Sequence, residues 1–306
     1  MPKMWLQKNK EEGIQQRVSA LLCKECNHTF GSTRKPSRLR SSIWNDFVFN
    51  RYTIKQLASK HNRSIDWVRK KLWAYKLPAS VITPTKIVAV MDCVFFGRTN
   101  GYLVVRDPHR KCNIYWAEIQ RETLDEYRYA RDTLESLGFD ITAVVADGKP
   151  GLKPLFKDTH IQMCHFHQKS IITRYLTSRP RLQAGIDLRK LVHDLGQLNE
   201  QSFDEKLQVW HRNWGEFLAQ RTVNPETGKW HFTHKRLRSA YKSLKKHQPY
   251  LYTYQRHLEL EIPNTTNGLE GSFAFLKELV RVHRGIKLEL KRKIIESILQ
   301  NRPTKT

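Results

Sequence analysis

Apolar positions along this chain change their period twice, and each change predicts a different kind of element. From residue 87, IVAVMDCVFF (87–96) is apolar without a break except at Asp92. GYLVVR (101–106) and NIYWAE (113–118) follow it, with the tight-turn pair Asn100-Gly101 in front. Short β-rich runs joined by such turns predict an antiparallel meander. Thr123-Leu-Asp-Glu126 reads as a capping box, opening a helix with Leu124, Tyr127, Leu134 and Leu137 inward and stopping at Gly138. ITAVVAD (141–147) is continuously apolar, as a strand buried on both faces is, and IQMCHF (161–166) is predicted as a further strand. Three meandering strands followed by alternating helices and strands make an α/β core with a mixed sheet.

From about 168 to 262 the spacing becomes helical, at Ile186, Leu191 and Leu195 and then at Phe203, Leu207, Trp210, Trp214 and Phe217 behind a Ser202-x-x-Glu205 box. NPETG (224–228) is a turn within it. This stretch is predicted as an all-helical insertion over 179–262, dividing a core of 85–178 and 263–300. NTTNGLEGSF (264–273) opens a last long helix. Helical spacing assigns Trp210 and Trp214 to the insertion's own core, whereas Trp230, just after the turn, is the better candidate for stacking on exposed bases.

The N-terminal part is helical and basic. Over 36–80 the pattern fits a helix-turn-helix: a first helix from about Ser42 to Asn50, a second opened by the Thr53-x-x-Gln56 box with Ile54, Leu57 and Ala58 inward, and a third capped by Ser64 with Ile65, Val68 and Leu72 inward. Arg63, Arg69, Lys70 and Lys71 remain on the outer face, as a recognition helix in a major groove requires. Before it, CKECNHTF (23–30) carries Cys23-x-x-Cys26, half of a zinc ribbon. Zinc needs four N or S ligands, so residues 1–35 read as a partial, truncated ribbon and zinc there is doubtful.

Charge narrows the class of partner. Lys and Arg number 54 against 29 acids, a net of +25, which calls for a polyanion such as nucleic acid. No apolar run approaches the roughly 20 residues of a membrane span. Five scattered cysteines point to a reducing cytoplasm rather than a disulfide framework.

Candidate chemistry rests on three carboxylates. Asp92 interrupts one apolar strand and Asp147 ends another, and a buried carboxylate is costly unless a cation compensates it. With Glu270 from the late helix they can hold two Mg²⁺, the arrangement that activates an attacking oxygen in phosphodiester chemistry. The competing reading makes Glu270 the closing residue of an Asn267-x-x-Glu270 capping box. Against it, Lys277, Arg281 and Arg284 fall within about 40° of Glu270 on a helix, a basic stripe suited to a phosphate backbone, with Phe273, Leu276, Leu279 and Val280 opposite.

Asp92, Asp147-Gly148, Cys164-x-x-His167, the helical insertion and Asn264-Thr-Thr-Asn-x-Leu-Glu270, in this order, resemble the DDE transposases of bacterial insertion sequences. The closer resemblance is to the Mutator-type (MULE-like) group, in its variant with an N-terminal zinc ribbon and helix-turn-helix. The likeness covers about residues 20 to 290. It implies an RNase H-like catalytic core and transposition through Mg²⁺- or Mn²⁺-dependent strand cleavage and transfer. It also implies double-stranded DNA partners (terminal inverted repeats and target), a homo-oligomer on DNA and a nucleoid-associated, cytoplasmic location. Carried over, Asp92, Asp147 and Glu270 are the catalytic, metal-binding triad, and Cys164 and His167 match a family signature. The chain departs from the family in lacking the ribbon's first cysteine pair. Two other classes stay open: a non-catalytic, sequence-specific DNA-binding protein descended from a transposase, and an RNase H-like nuclease without strand transfer.

Overall fold

The structure, a computed structural model, describes residues 38–78 and 82–300. It also describes a short ladder of β1 (Leu21–Leu22) with β2 (Thr29–Phe30). Cys23 and Cys26, and with them the expected ribbon, lie outside the described residues.

By their internal contacts the elements fall into two units, one built of the N-terminal helices with Phe275–Leu299 and the other of Ile82–Ala274. In the first, α1 (Arg38–Val48), α2 (Ile54–Lys60) and α3 (Ile65–Ala74) follow the predicted helix-turn-helix order. The Thr53–Gln56 capping box forms, and Ser64 caps α3 through the Trp67 amide at 3.1 Å. Trp44 stacks on Tyr75 with centroids 4.7 Å apart, and its indole N–H donates to Ser297 at 3.0 Å on α12 (Leu288–Gln300). The expectation had grouped 263–300 with the sheet; Phe275–Leu299 falls instead with the helix-turn-helix residues. Ile65, expected inward, is exposed, because it is the first residue of α3 and lies ahead of the buried pair Val68 and Leu72.

The second unit is an α/β fold on a mixed five-stranded sheet. Its strands are β3 (Lys86–Phe95), β4 (Gly101–Asp107), β5 (Cys112–Ile119), β6 (Asp140–Ala146) and β7 (His160–Met163), in the order β5-β4-β3-β6-β7. β3, β4 and β5 pair antiparallel, while β6 and β7 run parallel to β3. Helix α4 (Leu124–Ser136), capped by Thr123, joins β5 to β6 and buries Tyr127, Ala130 and Leu134 against Ile87, Ala89, Met91, Leu103 and Val105. Val88, Val90 and Val104 are buried too, so both faces of the central strand are covered, as its unbroken apolar run predicts. The one-turn helix α5 (Leu152–Leu155) lies between β6 and β7.

After β7 come α6 (His165–Leu176), α7 (Gln183–His193), α8 (Glu200–Ala219), a hairpin of β8 (Arg221–Val223) with β9 (Trp230–Phe232), α9 (Lys235–His247) and α10 (Thr253–Arg256). The hairpin corrects the expectation of an all-helical stretch. NPETG does more than turn the chain: the Asn224 amide donates to the Lys229 carbonyl at 2.9 Å, and the Asn224 side chain accepts from the Glu226 and Thr227 amides. That closure sets β-branched Val223 opposite aromatic Trp230, with Arg221 opposite Phe232 at the far end of the ladder. α8 opens three residues earlier than the Ser202 box predicts, because Asn199 Oδ1 takes the Ser202 amide at 2.8 Å. Met163, Ile172, Leu188, Phe203, Leu207, Trp210, Leu244 and Tyr252 share a core, with Trp214 packed on it.

Candidate active site

Sheet register brings the two aspartates together. The last paired positions of β3 and β6 are Val90 and Val145, and Asp92 and Asp147 each lie two residues further on. Asp92, within β3, and Asp147, just past the end of β6, therefore stand on neighbouring parallel strands at the same level and with the same side-chain parity, towards the carboxyl edge where open α/β sheets bind ligands. Each has one oxygen fixed by a backbone amide: Cys93 N–H donates to Asp92 at 2.8 Å and Lys149 N–H to Asp147 at 3.0 Å. Gly148 makes the turn after Asp147 at φ +78, and a Cβ there would stand 2.3 Å from Met163 Sδ. Only glycine fits both the backbone and the space.

Burial is the main reason that Asp92 is pushed up to about 6, and the Asp147 and Glu270 carboxylates add to it while His167 opposes it. This coupling links all three predicted carboxylates in one electrostatic site. Glu270 lies in the first turn of α11 (Asn267–Val282). The rival role as a cap is not the one it takes. The helix begins at Asn267, so Thr266 is the capping residue, and its amide donates to Cys164 Sγ at 3.3 Å rather than to Glu270. Glu270 Oε1 instead accepts the Thr266 hydroxyl at 3.1 Å.

Cys164 and His167 turn out differently from the sequence expectation. IQMCHF is not a strand throughout: β7 stops at Met163, and the Gln168 amide donates to the Cys164 carbonyl as α6 begins. An apolar run of six residues does not separate strand from helix by period alone. Cys164 is therefore the residue capping α6, and His167 sits in its first turn. Cys164 Sγ, a ring nitrogen of His167 and a carboxylate oxygen of Glu270 all lie within 4.8 Å of one another. Among the described residues no other group of three or more Cys, His, Asp or Glu comes as close. Burial works against charge on both residues. Hydrogen bonds from His167 and Thr266 nonetheless hold the Cys164 thiol below its ordinary range. The contact with Cys164 and the charges of Asp92 and Asp147 push the His167 imidazole up to about 9. Thr266, fully buried, ties this pair to Glu270, since its hydroxyl is 3.4 Å from Cys164 Sγ. In the sequence, Thr266 is one residue of the Asn-Thr-Thr-Asn stretch, and nothing near it in the chain marks its role.

The predicted basic residues are surface groups. Lys277 and Arg281 are exposed on α11, with Phe273, Leu276 and Leu279 buried opposite. Arg284 lies beyond the end of the helix, in the turn that breaks at Gly285 with φ +79, so the helical stripe stops at Arg281. On α3, Arg69 and Lys70 are exposed, as is Arg63 just before it, and Arg69 pairs with Asp66 at 3.1 Å. Lys71 is half-buried, and it and Arg63 lie against the Trp67 ring at 5.3 and 5.7 Å. Trp230 is 52% exposed with the Arg221 guanidinium 4.0 Å from its ring, whereas Trp210 is 5% exposed. No helix among the described residues is long and apolar enough to cross a membrane. No family model matches the chain, and no curated protein or solved structure is significantly similar to it.

Proposed function

We propose that the chain is a DDE-type DNA transposase of the Mutator-like group, cleaving and joining DNA at the ends of an insertion sequence. One observation carries this reading: Asp92 in β3 and Asp147 just after β6 stand level on neighbouring parallel strands, with Glu270 close enough to raise Asp92. The sheet order, three antiparallel strands followed by two parallel ones, suits an RNase H-like core. The helices and hairpin between β7 and α11 suit its insertion.

The three side chains offer only hard oxygen donors, and the burial that raises Asp92, with the repulsion that adds to it, is what a divalent cation offsets, so the set fits Mg²⁺ or Mn²⁺. Held by Asp92, Asp147 and Glu270, such ions would supply activation of the attacking oxygen and stabilisation of the leaving oxygen. The chain's own groups prepare that site. The Cys93 and Lys149 amides orient the two aspartates, and the Thr266 hydroxyl orients Glu270. Protonated His167 offsets part of the carboxylate charge. Exposed Lys277 and Arg281 on α11 supply phosphate contacts, and the helix-turn-helix supplies recognition of the terminal repeats. A net charge of +25 suits a protein working on double-stranded DNA at the nucleoid, as a homo-oligomer that brings the two ends together.

The test is cleavage of DNA bearing the element's terminal inverted repeats by purified protein with Mg²⁺ or Mn²⁺. Asp92→Asn and Glu270→Gln are expected to lose cleavage and keep binding. Unchanged cleavage by both variants would sink the triad. Binding by the wild type with no cleavage would make the chain a non-catalytic DNA-binding protein. Cutting without preference for the repeats would make it a nuclease.

A further inference from the structure

We propose that Cys164, His167 and Glu270 form a site for a soft divalent metal, zinc above all, which takes Glu270 away from the carboxylate set and so switches cleavage off. The binding half stands on geometry alone; the switching half rests on the proposed transposase reading. One ligand atom from each residue already lies within 4.8 Å of the other two. Tetrahedral zinc with one sulfur and two N/O ligands needs them about 3.3–3.6 Å apart, so the adjustment is on the order of an ångström of side-chain movement.

The surroundings suit a metal thiolate. Cys164 caps α6, and the positive end of that helix favours a negatively charged sulfur. Its Sγ accepts the Thr266 amide at 3.3 Å, the kind of outer support that orients a ligating sulfur. Thr266 also holds Glu270 Oε1 through its hydroxyl, so one residue fixes two of the three ligands. Nδ1 of His167 is buried and makes no hydrogen bond. A metal bound there would take the place of the ring proton that the protonated imidazole otherwise holds, so binding would release a proton. Sulfur, imidazole and carboxylate together select zinc over magnesium, and three protein ligands leave a fourth position for water. Asp92 and Asp147, with oxygen donors only, make the opposite choice. Glu270 is common to both sets, so a thiolate-anchored zinc competes with magnesium for it.

The experiment uses the full chain carrying Cys23→Ser and Cys26→Ser, so that the other Cys-x-x-Cys contributes no thiolate, with folding checked by circular dichroism and melting. Titration with Co²⁺ is expected to give a thiolate-to-cobalt charge-transfer band and the intense visible bands of tetrahedral cobalt, both erased by Zn²⁺. Adding Cys164→Ser should abolish the charge-transfer band, and His167→Gln or Glu270→Gln should weaken cobalt binding tenfold or more. A folded background protein without the band, or a band that survives Cys164→Ser, overturns the site. For the switch, Mg²⁺-supported cleavage with zinc is divided by each protein's own zinc-free rate. Inhibition in the background protein that is relieved by Cys164→Ser supports competition for Glu270, and equal inhibition in both overturns it. If the wild type cleaves no DNA, the transposase reading and the switch fall together, while the cobalt titration still decides the site.

Discussion

Replacing Asp92 with Asn should make the metal-free protein more stable at neutral pH while removing the proposed activity. Burial, helped by Asp147 and Glu270, raises the carboxyl from its ordinary 3.8 to about 6. The unfolded chain thus releases this proton near 3.8, whereas the folded chain keeps it to about 6. The sign follows from linkage. Below 3.8 both states are protonated and Asp92 costs nothing; the cost grows between 3.8 and 6 and is complete above. A difference of 6 − 3.8, about 2.2 units at 1.36 kcal/mol each, is worth about 3 kcal/mol. Asn has nearly the same shape, carries no charge and keeps an oxygen for the Cys93 amide, so little else is lost. In a unit of roughly 200 residues that is a rise in melting temperature of roughly 6–12 °C. Melts in EDTA, taken from acid to neutral pH, measure it, and the curves of the two proteins should meet in acid. Added Mg²⁺ should stabilise the wild type and leave Asp92→Asn nearly unmoved. If Asp92→Asn is no more stable than the wild type at neutral pH, or if its advantage persists in acid, burial of an ionised carboxylate is not what strains this edge of the sheet.

Four further outcomes are expected. Thr266→Val keeps the buried volume but removes the hydroxyl that Cys164 and Glu270 share. It should cost about 1–3 kcal/mol and lower cleavage at least tenfold with DNA binding intact, and wild-type cleavage would remove Thr266 from any positioning role. Gly148→Ala forces a Cβ onto Met163 Sδ at a left-handed backbone position, and urea denaturation should show a loss of about 1–3 kcal/mol. Trp210→Ala, which empties a buried site and removes the indole bond to the Ala184 carbonyl, should lose about 3–5 kcal/mol, while exposed Trp230→Ala should leave the melting temperature within a degree or so. Arg63→Ala combined with Lys70→Ala should flatten the salt dependence of DNA binding by about two in log–log slope; an unchanged slope would take the helix-turn-helix off the phosphates.

Wherever one short stretch decides an element, the sequence was readable. β3 and β6 showed as unbroken apolar runs because both their faces are buried, and α2, α3 and α4 showed their starts because Thr53, Ser64 and Thr123 each cap a backbone amide three residues on. Hairpin β8–β9 escaped because its strands are three residues long, too short for a period, and its stability comes from the closure at Asn224. IQMCHF misled for the related reason that the Cys164 amide completes the ladder by donating to Ala146 O while the Cys164 carbonyl already starts α6. One residue serves both elements there, and spacing cannot divide it between them.

For the site, residue type was legible and company was not. Asp92 and Asp147 stood out because a carboxylate in an apolar strand demands compensation, whatever lies around it. Cys164 and His167 carry no such mark. Two ligands three positions apart hold zinc poorly, and neighbouring His165 turns its ring to the Leu251 carbonyl instead of joining them. The third ligand comes from the start of α11, brought in by a turn in which the Thr266 amide bonds to the Cys164 sulfur across 102 positions. A pair that is chemically incomplete along the chain becomes a three-ligand cluster only after the β7–α6 junction and the start of α11 have been packed together. The same packing makes Glu270 a member of two donor sets at once, one all oxygen and one with sulfur. The metal it serves then depends on which cation is present, a property that neither motif has alone.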